Sequence, residues 1–213
     1  MLNQENKLTS IKKYKTGFTA GSLLLKEAEA LINSIEDFQA YLNGQEDLDY
    51  SVIPVKSELT KRKITLNLNR RFQTLKDPRF FEIFQRSESH EKNLLLFYIN
   101  LKYYSILADF MLETVLPKWN NQDLQLTTDD FQNFLFLKSD THAELDDLKE
   151  SSRKKMAQVV LRMLRELSLL NKNKLQSQHF EPEPLQFILD NNDQWFLDAI
   201  LLNNEDKNLL TGL

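Results

Sequence analysis

Residues 87 to 116 read SESHEKNLLLFYINLKYYSILADFMLETVL, the longest apolar run in the chain, and Pro117 follows it. A run of this length folds either as a membrane span or as a helix surrounded by protein. Asn100, Lys102, Asp109 and Glu113 interrupt it, and a charge near a bilayer centre costs about 2.5 to 3.5 kcal/mol on insertion scales. The run therefore predicts a central helix packed on several sides and stopped by Pro117, with the hydroxyls of Tyr98, Tyr103 and Tyr104 at its margins. No membrane is expected as a partner.

A core helix of that kind needs other helices around it. Only four Gly and five Pro occur in 213 residues, too few for many tight β-turns. The expected class is mainly α, in two helical lobes spanning 1–118 and 119–213. In the first, Thr19 or Ser22 is a candidate cap for a helix burying Leu24, Leu25, Ala28, Leu31 and Ile32. Ser34 and Asp37 restart a short helix that ends at Gly44. Ser57 to Leu75 is helical in pattern, with Leu59, Ile64, Leu68, Phe72 and Leu75 offering apolar contacts. Asp77 and Pro78 open a short aromatic helix.

In the second, Thr127 or Thr128 caps a helix through Phe131, Phe134, Leu135 and Leu137, and Thr141 with Glu144 has a capping-box pattern. Ser151 to Leu170, SSRKKMAQVVLRMLRELSLL, is the clearest amphipathic helix. Met156, Val159, Val160, Met163, Leu164, Leu167 and Leu170 form its buried stripe, while Lys154, Lys155, Gln158, Arg162 and Arg165 fall opposite. Ser151 and Ser152 are its candidate caps. NKNKLQSQHFEPEP then forms either a small β-wing or a plain loop, and two short helices follow, with Trp195 and Phe196 as packing anchors. Helix, short helix, basic helix and wing resemble a winged-helix arrangement. Two departures stand out: Ser168 occupies a position where many such domains have Gly, and Asp146, Asp147 and Glu150 would repel phosphates.

The net charge of −4 conceals two basic islands. Residues 51 to 76 carry seven basic groups against Glu58, and residues 151 to 174 carry seven against Glu166, a net of +6 each. Screening limits a charge's reach to about 8 to 10 Å, so such islands make local anion-binding surfaces. The candidate DNA contacts are Lys61, Arg62, Lys63, Arg70 and Arg71 in the first island. In the second they are Lys154, Lys155, Gln158, Arg162, Arg165, Lys172 and Lys174. Gln158 is the candidate for reading a base edge. A solvated helix face accounts for one basic helix equally well. The same faces would also suit a protein-interaction adaptor or an RNA-binding protein.

Catalytic chemistry finds little support. Gly17, Gly21, Gly44 and Gly212 match no phosphate-binding loop. His90, His142 and His179 lack partners at metal-ligand spacing. Neighbours in the doublets Asp129-Asp130 and Asp146-Asp147 diverge by about 100° on a helix. No catalytic residue, metal or cofactor is expected. The absence of Cys excludes disulfides and thiolate catalysis and suits a reducing cytoplasm. The opening MLNQENKLTSIKKYK lacks the apolar core of a secretory signal, so a cytoplasmic location is expected.

Four segments, YKTGFTAGSLLLKEAEALI, NLNRRFQTLKD, LLLFYINLKYYSILADFMLETV and KKMAQVVLRMLRELSLL, occur in this order. Together, over about residues 14 to 190, they resemble the BrxA family of bacteriophage exclusion (BREX) defence systems. The resemblance implies a small, mostly helical, non-enzymatic protein, NusB-like or helix-turn-helix-like in fold, with affinity for double-stranded DNA. It also implies work beside other BREX components, among them a DNA methyltransferase and ATPases. It supplies no catalytic motif.

Overall fold

Local capping starts several helices where the sequence places them. In the computed structural model, which describes residues 12–211, Asp37 accepts from the amides of Gln39 and Ala40 at the start of a short helix. Ser57 accepts from Thr60, and the Asp130 carboxylate accepts from the Thr127 amide and hydroxyl. Residues 1–11, on which the expectation about a leader partly rests, lie outside the described residues.

After a 3-10 turn at Gly17–Ala20 come α1 (Leu25–Ile32), α2 (Phe38–Leu42), α3 (Glu58–Phe72), α4 (Arg79–Arg86) and α5 (Ser89–Tyr103). Then α6 (Ser105–Phe110) runs through a π turn, Met111–Val115, into α7 (Leu116–Asn120). The second half holds α8 (Thr128–Ser139), α9 (Glu150–Glu166), β1 (Leu170–Asn171), β2 (Lys174–Leu175), α10 (Pro182–Asp190), α11 (Trp195–Ala199) and α12 (Asn204–Thr211). The protein is mainly α. Buried side chains on both sides of residue 118 form one continuous cluster.

The long apolar run is central, as expected, but it is not one helix. Leu94 to Leu101 are all buried, yet the helix breaks at Tyr104, and the segments on either side meet at 107°. No single helix among the described residues is long and apolar enough to cross a membrane. Pro117 does not end the run, which continues to Asn120. The π turn stands directly before that proline, whose ring would clash with the carbonyl four residues back in a regular helix; the wider turn relieves the clash. Buried Asn100 turns its side-chain amide back to the Leu96 carbonyl at 2.8 Å.

Five expected caps, Thr19, Ser22, Thr141, Ser151 and Ser152, do not start their helices. Thr19 and Ser22 do not start α1, which follows a left-handed Leu24 at φ +64°; the Ser22 hydroxyl instead donates to Glu166 at 2.5 Å. Thr141 and Glu144 form no capping box, because the Glu144 carboxylate accepts from the backbone amide of Tyr14 at 2.6 Å. Only a 3-10 turn, Ala143–Leu145, forms there. Ser151 and Ser152 lie inside α9, which begins at Glu150. An acid in that first turn complements the helix dipole and pairs with Lys154 at 2.5 Å.

The end of α9 is a complete Schellman closure. Leu169 N–H donates to the Leu164 carbonyl and Ser168 N–H to that of Arg165, with Ser168 left-handed at φ +59°. A side chain there is strained, so Ser168→Gly is expected to stabilise the protein by about 0.5 to 1 kcal/mol. Thermal unfolding should show a rise of roughly 2 °C; a fall would mean the serine hydroxyl contributes more than the strain costs.

A candidate nucleic-acid interface on α9 and its hairpin

Residue phase decides which side chains of α9 reach solvent. Met156, Val159, Val160, Met163 and Leu164 are buried, while Lys154, Lys155, Gln158, Arg162 and Arg165 are exposed within an arc of about 100°. The segment after α9 forms a hairpin, with Leu170 opposite Leu175 and Asn171 opposite Lys174. Gln125, just before α8, adds an antiparallel bridge to Lys174, supported by Leu126 N–H to the Asn173 carbonyl at 2.8 Å. Buried Leu170 and Leu175 pin this small sheet to the core. Lys172, in the hairpin turn, is left-handed at φ +54°.

Helix and hairpin are joined by one side chain. The Arg165 guanidinium donates to the Lys172 carbonyl through Nε at 3.1 Å and Nη2 at 3.0 Å, and Nη2 also reaches the Asn173 side-chain oxygen at 3.4 Å. Arg165 therefore positions the turn bearing Lys172, a role invisible in the sequence. Beside the hairpin opens a recess of about 600 Å³ that includes Gln125, Lys172, Lys174 and Gln176. Among the described residues, Lys155, Arg162, Lys172 and Lys174 have no carboxylate partner. Lys154 is paired with Glu150, which lowers the carboxyl and raises the ammonium in pKa through their hydrogen bond. Glu150 is thus the first residue of α9 rather than part of a preceding helix, and Asp146 and Asp147 lie exposed in the turn before it.

The first island divides. Lys63 and Arg70 are exposed on α3. Lys61 donates to the Ser51 carbonyl at 3.0 Å and pairs with Glu58 at 3.2 Å. Arg62 donates to the Tyr50 hydroxyl at 2.8 Å and stacks over its ring at 4.2 Å. Arg71 is a correction: its side chain is fully buried, so it cannot reach a phosphate in this fold. Its position is about 20° from Ile64 around the helix, inside the apolar stripe, and that phase was the overlooked signal.

Arg71 donates through Nη1 to the Ser22 carbonyl at 3.2 Å, while Nε and Nη2 have no partner among the described residues. Burial pushes its pKa down to about 10, against the weaker opposing pull of Tyr104. A desolvated charge without a carboxylate is a cost to folding. Arg71→Met is accordingly expected to be neutral or stabilising by up to about 2 kcal/mol in chemical denaturation; marked destabilisation would show that the Ser22 bond outweighs the buried charge.

Two of the three histidines pack, and His179 is exposed. His142 stacks on Tyr14 at 3.8 Å and His90 on Phe180 at 4.7 Å. Among the described residues no group of three or more metal-ligating side chains comes together.

The fold and this surface define a mainly helical protein that presents cations from one long helix and an adjoining hairpin. Residues 12–192 match the BrxA family model, and the chain belongs to that family, which points to BREX phage defence. Among curated proteins none matches the chain. In fold it is similar to the crystal structure of an uncharacterized protein from Magnetospirillum magneticum, with a TM-score of 0.72 and 22% identity over 89% of this chain and 98% of that one.

Proposed function

We propose that this BrxA-family chain is a non-enzymatic accessory of cytoplasmic BREX defence that binds double-stranded DNA through α9 and the β1–β2 hairpin. It would act beside other components such as the methyltransferase and ATPases. The observation that carries this reading is the set of unpaired cations Lys155, Arg162, Lys172 and Lys174 on two adjoining elements. Helix α8, the 3-10 turn, α9 and the hairpin follow the order of a winged-helix module, in which the second helix of the pair enters the major groove. Gln158 is exposed among those cations, where its amide suits an adenine edge. With few other base-reading groups on this face, binding is expected to depend weakly on sequence.

The test is titration of a labelled duplex of arbitrary sequence across a salt series. Four phosphate contacts give a log–log slope of about −3 to −4, with micromolar affinity near 0.1 M salt. Absence of binding at low salt would sink the proposal. Preference for double-stranded RNA would redirect it to RNA, and tight, salt-resistant capture of another BREX component without DNA would favour an adaptor.

A further inference from the structure

Two helices carry exposed apolar stripes of opposite charge. On α3, Leu59, Lys63, Leu66 and Arg70 recur at intervals of four, three and four residues, and all face solvent. Leu59 is 63% and Leu66 50% exposed, so the apolar contact expected of Leu59 is absent. On α8 the stripe from Asp129 to Asp140, just past its C-terminus, has the same spacing through Asn133 and Phe136. Phe136 is 70% exposed and its neighbour Leu137 69%. These side chains account for most of the large exposed hydrophobics among the described residues.

An interface for phosphates alone has no use for Leu59 and Leu66 between its cations, and a solvated helix face has none for Phe136 beside Leu137. Each stripe lacks what the other supplies. Lys63 and Arg70 have no carboxylate partner among the described residues, and Asp129 and Asp140 have no cationic one. The nearby Lys138 is occupied by Glu113 at 2.6 Å. Both stripes run over eleven residue steps, about 16 Å of helix, so they match in length, and in parallel register an apolar residue faces an apolar one at the third position and a cation faces an anion at the fourth.

We propose that the occupant of each stripe is a second copy of this chain, with α3 of one molecule packed along α8 of the next. With the two helices parallel and Leu59 level with Asp129, Leu66 covers Phe136 and Leu137, Arg70 meets Asp140, and Lys63, one turn beyond Asp129, reaches back to it. Because the two faces differ, the contact is heterologous. One helix-on-helix contact is smaller than a standard stable interface, so association is weak and rises with concentration.

Sedimentation equilibrium of the full chain without DNA, from about 10 µM to about 500 µM at low salt, tests this independently of DNA binding. The mass should climb above the 25.1 kDa monomer and fall back on adding salt. Lys63→Glu/Arg70→Glu and Asp129→Lys/Asp140→Lys should each weaken association at least tenfold, with circular dichroism unchanged because all four sites are exposed. Mixed in equal amounts, the two variants should associate again: each keeps one native face that complements the other's, and the reversed faces also pair. A wild-type mass fixed at the monomer value overturns the proposal, as does a mixture that associates no better than its components.

Discussion

Lys155→Glu/Arg162→Glu is expected to lower affinity for a DNA duplex by on the order of a hundredfold near 0.1 M salt. Each lost phosphate contact forfeits counterion release worth about eightfold at that concentration, and the introduced carboxylates add repulsion. The salt slope should flatten by about two, a change that general destabilisation does not produce. Lys155 and Arg162 suit this experiment because neither holds the fold together. Arg165 suits it poorly, since its guanidinium bonds to the Lys172 carbonyl and reversal would also release the hairpin. Lys63→Glu/Arg70→Glu on α3 should leave DNA affinity within about threefold, since the proposed interface draws no phosphate contact from α3. Equal losses from both variants would move DNA onto α3 as well.

Asp193→Ala is expected to destabilise the protein by about 2 to 4 kcal/mol, lowering the melting temperature by roughly 5 to 12 °C. The Asp193 carboxylate accepts from Tyr98 and Lys102 at 2.5 Å each and from the Trp195 ring nitrogen at 2.9 Å. It thereby fastens the C-terminal helices to α5. Removing it leaves the Lys102 ammonium, 24% exposed, without its counter-charge; the residual exposure keeps the loss below that of a fully buried pair. Asp193→Asn retains an acceptor and should lose less. Burial raises the carboxyl's pKa, but hydrogen bonds from Lys102, Tyr98 and Trp195 outweigh it, and the net shift is downward. A carboxyl depressed on folding contributes stability above its unfolded pKa of about 3.9 and loses it as pH falls from there through the folded value. Wild-type stability should therefore drop more steeply below about pH 4 than that of Asp193→Asn. Parallel acid profiles would show that the node does not titrate as the geometry requires.

Much of the secondary structure follows from local chemistry. Asp37 and Ser57 begin helices because their side chains accept from amides two or three residues on, and Thr127 because the Asp130 carboxylate accepts from its amide and hydroxyl. The exposed row on α9 follows from an apolar stripe strong enough to set the helix's rotation. Ser151 and Ser152 mislead because good capping residues stand two and three positions past the actual cap, Lys149, while Glu150 and Lys154 could pair only if the helix began earlier. Leu137 misleads differently: apolar character in α8 suggests burial, and only Phe131, Phe134 and Leu135 have neighbours to cover them. For the candidate interface, the helix face was legible, whereas the hairpin remained one of two alternatives.

By itself the sequence determined a mainly helical protein, the central burial of residues 94 to 101 and the outward cations of α9, because each depends on periodicity within a single element. Tertiary structure alone decided the break at Tyr104, the burial of Arg71 beside Ser22 and the joining of Arg165 to the hairpin. Each of these depends on partners distant in sequence or on which face meets the core. Helical phase states which residues share a side; only the packed neighbours determine whether that side meets protein or water.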